Sequence, residues 1–272
     1  MALQILHSIY NQFVGMSHNS RLLTKRGLII GSEDGGAVSG QMAVNSPQDF
    51  GFFDDFERLD TARWLATEGT DSATSNAAIL AGGVGGVLRL TTGDAGTGLA
   101  ADTEQLTHNT LLFKAANGNL VFEIRVKLSA ITTCWAFFGF TDTVAAALEA
   151  PIMSAGSADT LTSNATDAVG FMFDTRMSTD NWWLVGVKAD TDATAQNTGY
   201  APVADTYEVL RVEVDTSGNA VFFRNGLKIG SRMSNAITAS VALTPVLAAS
   251  KTSVAASMTV DIDYVHASCA RA

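Results

Sequence analysis

Acidic side chains occur at alternate positions in the sequence, the spacing that places two carboxylates on one face of a β-strand. Asp261 and Asp263 have this spacing, but Val265 stands where a third acid would extend the row. Glu123 is followed two residues later by Arg125, so a cation replaces the second acid. A retaining glycosidase needs two carboxylates about 5–5.5 Å apart. We therefore interpret these side chains as solvent-facing positions of strands.

Other patterns that carry catalysis or bind cofactors are missing from the sequence. It contains neither the G-x-S-x-G turn of serine hydrolases nor the H-E-x-x-H pattern that binds zinc. The aspartates Asp190, Asp192 and Asp215 fit turns, where Asp is favoured, and no EF-hand pattern surrounds them. The sequence thus predicts a protein that is not an enzyme and that has no catalytic residue, cofactor or metal site.

Trp182 and Trp183 are the residues best suited to contact a sugar. Successive strand residues face opposite ways, so one indole is expected in the core and the other on the outer face. An exposed tryptophan can stack on a sugar ring, and both residues are candidates for this role. The alternative is that both rings are covered, one by a second sheet and the other by a loop or a neighbouring subunit.

The chain is acidic and poor in charged residues. Its 272 residues have a net charge of −10, and 16% of them are charged. We expect no nucleic-acid binding, because no basic stripe is present, and no membrane span, because no apolar run approaches about 18 residues. Cys134 and Cys269 lack disulfide-framework or zinc spacing, so both are expected to be free thiols. The first residues do not have the features of a signal peptide, which predicts synthesis in a cytoplasm.

Short alternating segments broken by Gly, Asn, Asp and Thr predict an all-β domain over residues 51–272. Leu120–Leu128 places apolar side chains on one face and charged side chains on the other, as a half-buried strand does. Asn225 and Gly226 lie between alternating runs, a strong hairpin signal because a type I′ turn needs positive φ at both positions. Many short strands at this spacing predict a two-sheet antiparallel sandwich.

Residues 1–50 differ in texture from the rest and are predicted to form an extended N-terminal arm for assembly contacts. Apolar residues at helical spacing predict a short amphipathic helix over 2–14, which is too short to be stable alone in water. It therefore needs another surface to lie on, and basic residues follow it in the arm. The candidate partner-binding residues are Leu3, Leu6, Ile9, Tyr10, Phe13, Arg21, Lys25 and Arg26.

Three segments carry a family resemblance. The segment 53–56 (FDDF), followed by Leu59, Asp60 and Trp64, resembles the first strand of concanavalin A-like (laminin G/glucanase-type) jelly-roll domains. Residues 220–230 (AVFFRNGLKIG) are similar to a hairpin of that superfamily, and 260–265 (VDIDYV) resemble its last strand, which returns beside the first. The resemblance implies a jelly-roll sandwich. Laminarinase-type members use an E-x-D-x-x-E strand motif, to which the segment at Glu123 is the nearest match here.

An apolar arm with no net charge before a jelly-roll sandwich, without a signal peptide, looks like virion proteins of tailed bacteriophages. Capsid decoration (cement) proteins are the closest in character, and the resemblance implies a homotrimer bound to the major capsid protein. We therefore predict a structural protein of the capsid surface that is made in the host cytoplasm. The alternative is a carbohydrate-binding module of a phage tail fibre or a cell-surface protein. A third reading is a diverged glycan hydrolase that depends on Glu123.

Overall fold

The computed structural model describes residues 22–24, 27–29, 49–70, 75–83, 85–94, 99–144, 148–156, 159–252 and 257–271. Within these residues the chain forms short strands, one helical turn at Leu99–Asp102 and a 3₁₀ turn at Ala115–Asn117. In chain order the strands are β1 (Leu22–Thr24), β2 (Gly27–Ile29), β3 (Asp49–Asp54), β4 (Trp64–Glu68), β5 (Asn76–Ile79), β6 (Leu88–Thr91), β7 (Glu104–His108), β8 (Leu120–Leu128), β9 (Cys134–Thr141), β10 (Ile152–Ser154), β11 (Leu161–Ser163), β12 (Ala168–Asp174), β13 (Trp182–Lys188), β14 (Thr191–Asp192), β15 (Gln196–Asn197), β16 (Glu208–Val214), β17 (Ala220–Arg224), β18 (Leu227–Met233), β19 (Thr244–Lys251) and β20 (Thr259–Ala270).

Two antiparallel sheets of eight strands face each other. The front sheet has the spatial order β14, β13, β12, β9, β19, β7 and β4, with β15 also paired to β13. The back sheet has the order β18, β17, β16, β8, β20, β6 and β5, with β3 also paired to β20. Val265 in β20 lies opposite Asp54 in β3, so the last strand returns beside the first strand of the sandwich. The predicted all-β, two-sheet antiparallel jelly-roll sandwich is confirmed.

Aromatic side chains fill the space between the two sheets. Apolar residues alternate with half-buried polar ones along β8, as its sequence predicts. Phe122 of the back sheet meets Phe140 of the front sheet with ring centroids 5.7 Å apart, and Phe171 meets Phe222 at 5.4 Å. Both pairs have T-shaped geometry, which rings prefer to face-to-face stacking. These ring contacts help to set the distance between the front sheet and the back sheet.

The hairpin predicted at Asn225 and Gly226 is present. The two residues have φ of 50° and 78°, and Arg224 and Leu227 pair across them. Positive φ at both turn positions is the type I′ geometry, whose twist matches that of the flanking strands. This turn therefore sets the register of β17 against β18 at the edge of the back sheet.

The outer face of the front sheet is also covered, by the hairpin of β10 and β11. Trp135 in β9 donates a hydrogen bond from Nε1 to the carbonyl oxygen of Ile152 at 3.0 Å. The backbone N of Ser154 donates to Oδ2 of Asp174 at 2.9 Å. A second apolar cluster lies beneath this hairpin, and β9 and β12 are consequently buried on both faces.

Only short pieces of the predicted arm are among the described residues. In this part of the arm, β1 and β2 pair with each other. The helix predicted over 2–14 lies outside the described residues, as does most of 15–50. The boundary predicted between residues 50 and 51 stays a prediction, and β3 begins shortly before it, at Asp49.

Two smaller expectations also bear on the described chain. Neither Cys134 nor Cys269 forms a disulfide bond, as the sequence predicts, and both side chains are buried. Burial raises the pKa of the Cys134 thiol to about 12. None of the described helices has the length and apolar character needed to cross a membrane.

Candidate functional site

The two neighbouring tryptophans of β13 point to opposite sides of the front sheet. Trp182 faces the core, with its ring centroid 5.8 Å from that of Phe173 and 6.2 Å from that of Phe138. Its Nε1 donates a hydrogen bond to Oε2 of Glu208 at 3.2 Å, and the residue is 1% exposed. Trp182 therefore has no free ring face for a sugar, which removes it from the predicted stacking pair.

Trp183 lies on the outer face, in the apolar cluster beneath the β10–β11 hairpin. Trp135, Phe137 and Met172 belong to the same cluster. The Nε1 of Trp183 donates to the carbonyl oxygen of Thr179 at 3.2 Å, and the residue is 3% exposed. Covering by a loop, the alternative derived from the sequence, thus accounts for most of this ring, and only a narrow strip reaches solvent.

That strip forms part of the lining of an open cleft of about 570 Å³. One wall comes from the chain around the start of β11, and the other from β14, β15 and the turn between them. The lining residues are Asp159, Thr160, Leu161, Trp183, Asp192, Ala193, Thr194, Ala195 and Asn197. The cleft therefore combines an apolar floor with hydroxyl, amide and carboxylate groups at its walls.

The polar lining of the cleft is held in place by hydrogen bonds from the loop after β12. Asp159 has φ of 59° and accepts hydrogen bonds from N and Oγ of Ser178 at 2.8 and 2.7 Å. Asn197 donates from Nδ2 to Oγ1 of Thr179 at 2.7 Å and accepts from Nδ2 of Asn181 at 2.9 Å. Because both walls are tied to one loop, the two sides of the cleft are fixed relative to each other.

The sequence did not single out most of these residues. Asp192 was interpreted only as a turn residue, and Asp159, Thr194 and Asn197 were not candidates. They lie in Asp-, Thr- and Asn-rich loops, whose composition is that of ordinary turns. The polar stretch 190–200 follows a strand that is apolar except for its last residue, Lys188, and this contrast was a signal for a surface loop. Only the fold brings 159–161 opposite it.

The acidic residues first considered for catalysis lie on the outer face of the back sheet, in ion pairs. Asp261 contacts Arg89 Nε at 2.6 Å and Lys127 Nζ at 2.9 Å. Burial alone would raise the pKa of Asp261, but hydrogen bonds from these two cations outweigh it and lower the pKa. Asp263 pairs with Arg125 Nη1 at 2.7 Å.

Glu123 is in the same region and accepts a hydrogen bond from the hydroxyl of Tyr264 at 2.9 Å. It is thus on the opposite side of the molecule's core from the front-sheet cleft. A glycan hydrolase centred on Glu123 would have to work on this ion-paired surface, where each neighbouring carboxylate is already bound to a cation.

The strand β12 also lacks a row of acids. The outward-facing positions are Ala168, Gly170, Met172 and Asp174, of which only the last is acidic. Asp174 is buried, accepts from Ser154, and pairs with Arg176 Nη2 at 2.6 Å. Among the described residues, no group of three or more His, Cys, Asp or Glu side chains has the arrangement of a metal site.

One buried acid was missed entirely by the sequence interpretation. Glu104 in β7 pairs across the strands with Glu68 in β4 and is 0% exposed. Neither carboxyl oxygen has a hydrogen-bond partner among the described residues. Desolvation, with a further contribution from the charge of Glu68, raises the pKa of Glu104 to about 8. The side chain is therefore predominantly protonated at neutral pH.

The arm residues predicted to bind a capsid all lie outside the described part of the chain. They are Leu3, Leu6, Ile9, Tyr10, Phe13, Arg21, Lys25 and Arg26. The capsid partner, the homotrimer and the virion location therefore stay predictions.

Comparison with known proteins shows which solved structures have a similar fold. Neither a protein-family model nor a curated protein sequence matches the chain. Among solved structures, a glycoside hydrolase family 16 endo-glucanase from Bacteroides ovatus has a TM-score of 0.54 and 13% identity, over 79% of this chain and 98% of that one. A β-1,3-1,4-glucanase (lichenase) from a mouse hindgut metagenome has a TM-score of 0.52 and 14% identity, over 81% and 98%.

A third solved structure matches over nearly the whole chain. It is a protein of unknown function from Shewanella oneidensis MR-1, with a TM-score of 0.52 and 15% identity, over 96% of each chain. At such identities the likeness establishes the fold alone, a jelly-roll sandwich similar to that of the two glucanases.

These neighbours correct one expectation. The prediction that the protein is not an enzyme is wrong on this comparison, because solved structures that share the fold include an endo-glucanase and a lichenase. The prediction relied on the missing E-x-D-x-x-E pattern, and a missing motif does not determine what the rest of the fold can do. The phage setting has no counterpart among these neighbours.

Proposed function

We propose that this protein binds a glycan chain in the cleft whose lining includes Trp183. The observation that carries the proposal is the combination of an indole with carboxylate, amide and hydroxyl groups around one open cleft of about 570 Å³. Ligand sites are typically clefts of about 300–1,000 Å³ with apolar walls and a few placed polar groups.

The chemistry of the lining suits a saccharide. A pyranose ring presents apolar C–H groups on its faces and hydroxyl groups at its rim. Trp183 and Leu161 offer apolar contact, while Thr194 and Asn197 offer hydrogen-bonding groups. Because Ser178 and Thr179 already fix Asp159 and Asn197, these groups lose little conformational freedom on binding.

The fold supports the same class of ligand by analogy. The Bacteroides ovatus endo-glucanase was solved with a saccharide ligand, and the lichenase acts on a β-1,3-1,4-glucan by its name. Fold alone does not choose a function, so this support is secondary to the cleft.

The proposal is tested by calorimetric titration of the full chain with neutral gluco-oligosaccharides. We expect binding, and a loss of about ten-fold in affinity in Trp183→Phe, which keeps an aromatic ring in the cluster, with a comparable loss in Thr194→Ala. Tyr200→Ala is the matched control, because Tyr200 is 48% exposed and does not line the cleft. If Trp183→Phe and Thr194→Ala bind as the parent and the control do, the cleft is not the site.

The same samples are assayed for new reducing ends. Two carboxylates, Asp159 and Asp192, line the cleft, and two is the number that glycoside hydrolysis uses. Cleavage that disappears in Asp192→Asn would extend the proposed function from glycan binding to glycan hydrolysis at this cleft.

Capsid decoration is kept as a second proposal, based on the arm of residues 1–50. The amphipathic helix that the sequence predicts over 2–14 is too short to be stable alone and would gain stability by lying on another subunit. Deleting residues 1–50 should leave a folded sandwich that no longer binds capsids, and retained capsid binding would contradict the arm interpretation.

A further inference from the structure

The charged side chains that line the cleft at Trp183 are all negative. Asp159 and Asp192 line it from opposite walls, and none of its nine lining residues is Lys, Arg or His. The hydrogen bonds to Asp159 come from the neutral donors of Ser178, which leave its negative charge uncompensated. No ion pair between described residues involves either aspartate.

Basic residues near the cleft are held by other partners. Lys188, at the end of β13, donates from Nζ to Oδ1 of Asn235 at 2.9 Å. Arg176, in the loop that supports the cleft walls, pairs with Asp174 at 2.6 Å. The same loop carries the exposed Asp180, and the net charge of the whole chain is −10. The local and the overall charge therefore have the same sign.

From this charge we infer that the cleft selects glycans that carry protonated amines, that is, oligosaccharides of 2-amino-2-deoxy sugars. The inference rests on the proposed function and adds the chemical class of the ligand. Ammonium groups bound in the cleft are attracted by the charges of both Asp159 and Asp192, whereas a hydroxyl group gains only hydrogen bonds and a uronate or sulfate is repelled. Acetylation of the amine removes the charge and leaves the ring unchanged.

The size of the effect follows from the exposure of the cleft. Ion pairs in contact with water contribute little each, so two of them give a preference of about five- to ten-fold over the acetylated sugar. The preference must weaken with salt, because charges in an open cleft are screened.

The test compares three tetrasaccharides in calorimetric titrations of the full chain at about pH 6, where primary amines are protonated. They are a glucosamine oligomer, its fully N-acetylated form and an oligogalacturonate. We expect the glucosamine oligomer to bind about five- to ten-fold more tightly than the acetylated form, with no binding of the oligogalacturonate. Asp192→Asn should reduce the preference to about two- to three-fold, because one of the two attractive interactions remains, and about 0.5 M NaCl should reduce it to about two-fold or less.

The control variant is Glu57→Gln, which makes the same change in net charge at an exposed residue outside the cleft. It should keep the preference, which excludes a general effect of the acidic chain. Equal binding of the amine and acetylated forms, or tighter binding of the uronate, overturns the inference and leaves the proposed glycan binding intact. Absence of binding by all three sugars and by the neutral gluco-oligosaccharides overturns both.

Discussion

Ser178 donates two hydrogen bonds to the carboxylate of Asp159, from its backbone N at 2.8 Å and from Oγ at 2.7 Å. Asp159 lies shortly before β11, in the hairpin that covers the front sheet. Ser178 lies in the loop after β12, which is a strand of that sheet. These hydrogen bonds therefore connect the β10–β11 hairpin to the front sheet, and they set the position of one wall of the cleft at Trp183.

Removing the Oγ donor should loosen this hairpin without disrupting the sandwich. We expect Ser178→Ala to lower the free energy of unfolding by about 1 kcal/mol, the usual contribution of one hydrogen bond. Amide hydrogen exchange in Ile152–Ser163 should accelerate, while exchange in β8 stays unchanged. Ser231→Ala is the matched control, an exposed serine on the edge strand β18. Unchanged exchange in the hairpin would show that the contact does not hold it.

Glu104 should make stability depend on pH. Its pKa in the folded protein is about 8, whereas the ordinary value is 4.5, so the folded state retains a proton that the unfolded state loses. The free energy of unfolding should therefore fall as pH rises from about 4.5 to 8. Glu104→Gln removes this dependence, and we expect the variant to gain about 2–4 kcal/mol relative to the parent between pH 5 and pH 8.5.

The measurement is urea denaturation of the parent and the variant across this pH range. Glu57→Gln, at an exposed acid, serves as the control and should follow the parent. Parallel pH profiles for parent and Glu104→Gln would mean that Glu104 is ionised in the folded state.

Asp261 should contribute stability in the opposite pH direction. Its pKa is lowered, because hydrogen bonds from Arg89 and Lys127 outweigh its desolvation. Its contribution is therefore present above about pH 4 and is lost as pH falls through the folded-state pKa. Asp261→Asn should cost about 1–3 kcal/mol at pH 7, and the difference from the parent should shrink at about pH 2–3.

Urea or thermal unfolding of the parent and of Asp261→Asn, at pH 7 and at about pH 2–3, measures the difference in the free energy of unfolding. Asp263→Asn is the comparison, since its single pair with Arg125 is more exposed and should contribute less than about 1 kcal/mol. Equal losses for the two variants would contradict the prediction.

Cys134 should be unreactive in the folded protein. Burial raises the pKa of its thiol to about 12, and the thiolate is the species that alkylating reagents attack. We expect no addition of iodoacetamide at about pH 8 in the native state and full addition at Cys134 and Cys269 after unfolding in denaturant, read by intact mass. Rapid native labelling at Cys134 would show that β9 opens locally.

Alternation along individual strands was readable from the sequence. The segment Leu120–Leu128 buries every second side chain, and the turn at Asn225 and Gly226 has the geometry that its residue types predict. Such features depend on residues that are close in sequence. These local signals predicted a two-sheet β-sandwich, and the resemblance of 53–56, 220–230 and 260–265 to concanavalin A-like domains supplied the jelly-roll topology.

Two continuous apolar runs in the sequence indicate strands that are buried on both faces. β9 (CWAFFGFT) and β12 (AVGFMFD) are apolar at successive positions, which indicates burial on both faces. The two runs do not predict which segment of the chain packs on the second face. The β10–β11 hairpin does so, and its own segment reads only as a loop rich in small residues.

The sequence by itself determined that this is an antiparallel β-sandwich and that Trp182 and Trp183 face opposite sides of one strand, because strand geometry enforces alternation. The jelly-roll topology came from the family resemblance of three segments. Only the tertiary structure decided which indole enters the core, which acids are ion-paired, and that the buried Glu104 has no hydrogen-bond partner among the described residues. The physical reason is that burial and electrostatic environment come from residues far apart in the chain, such as Asp159 and Asp192, and only folding brings these to one cleft.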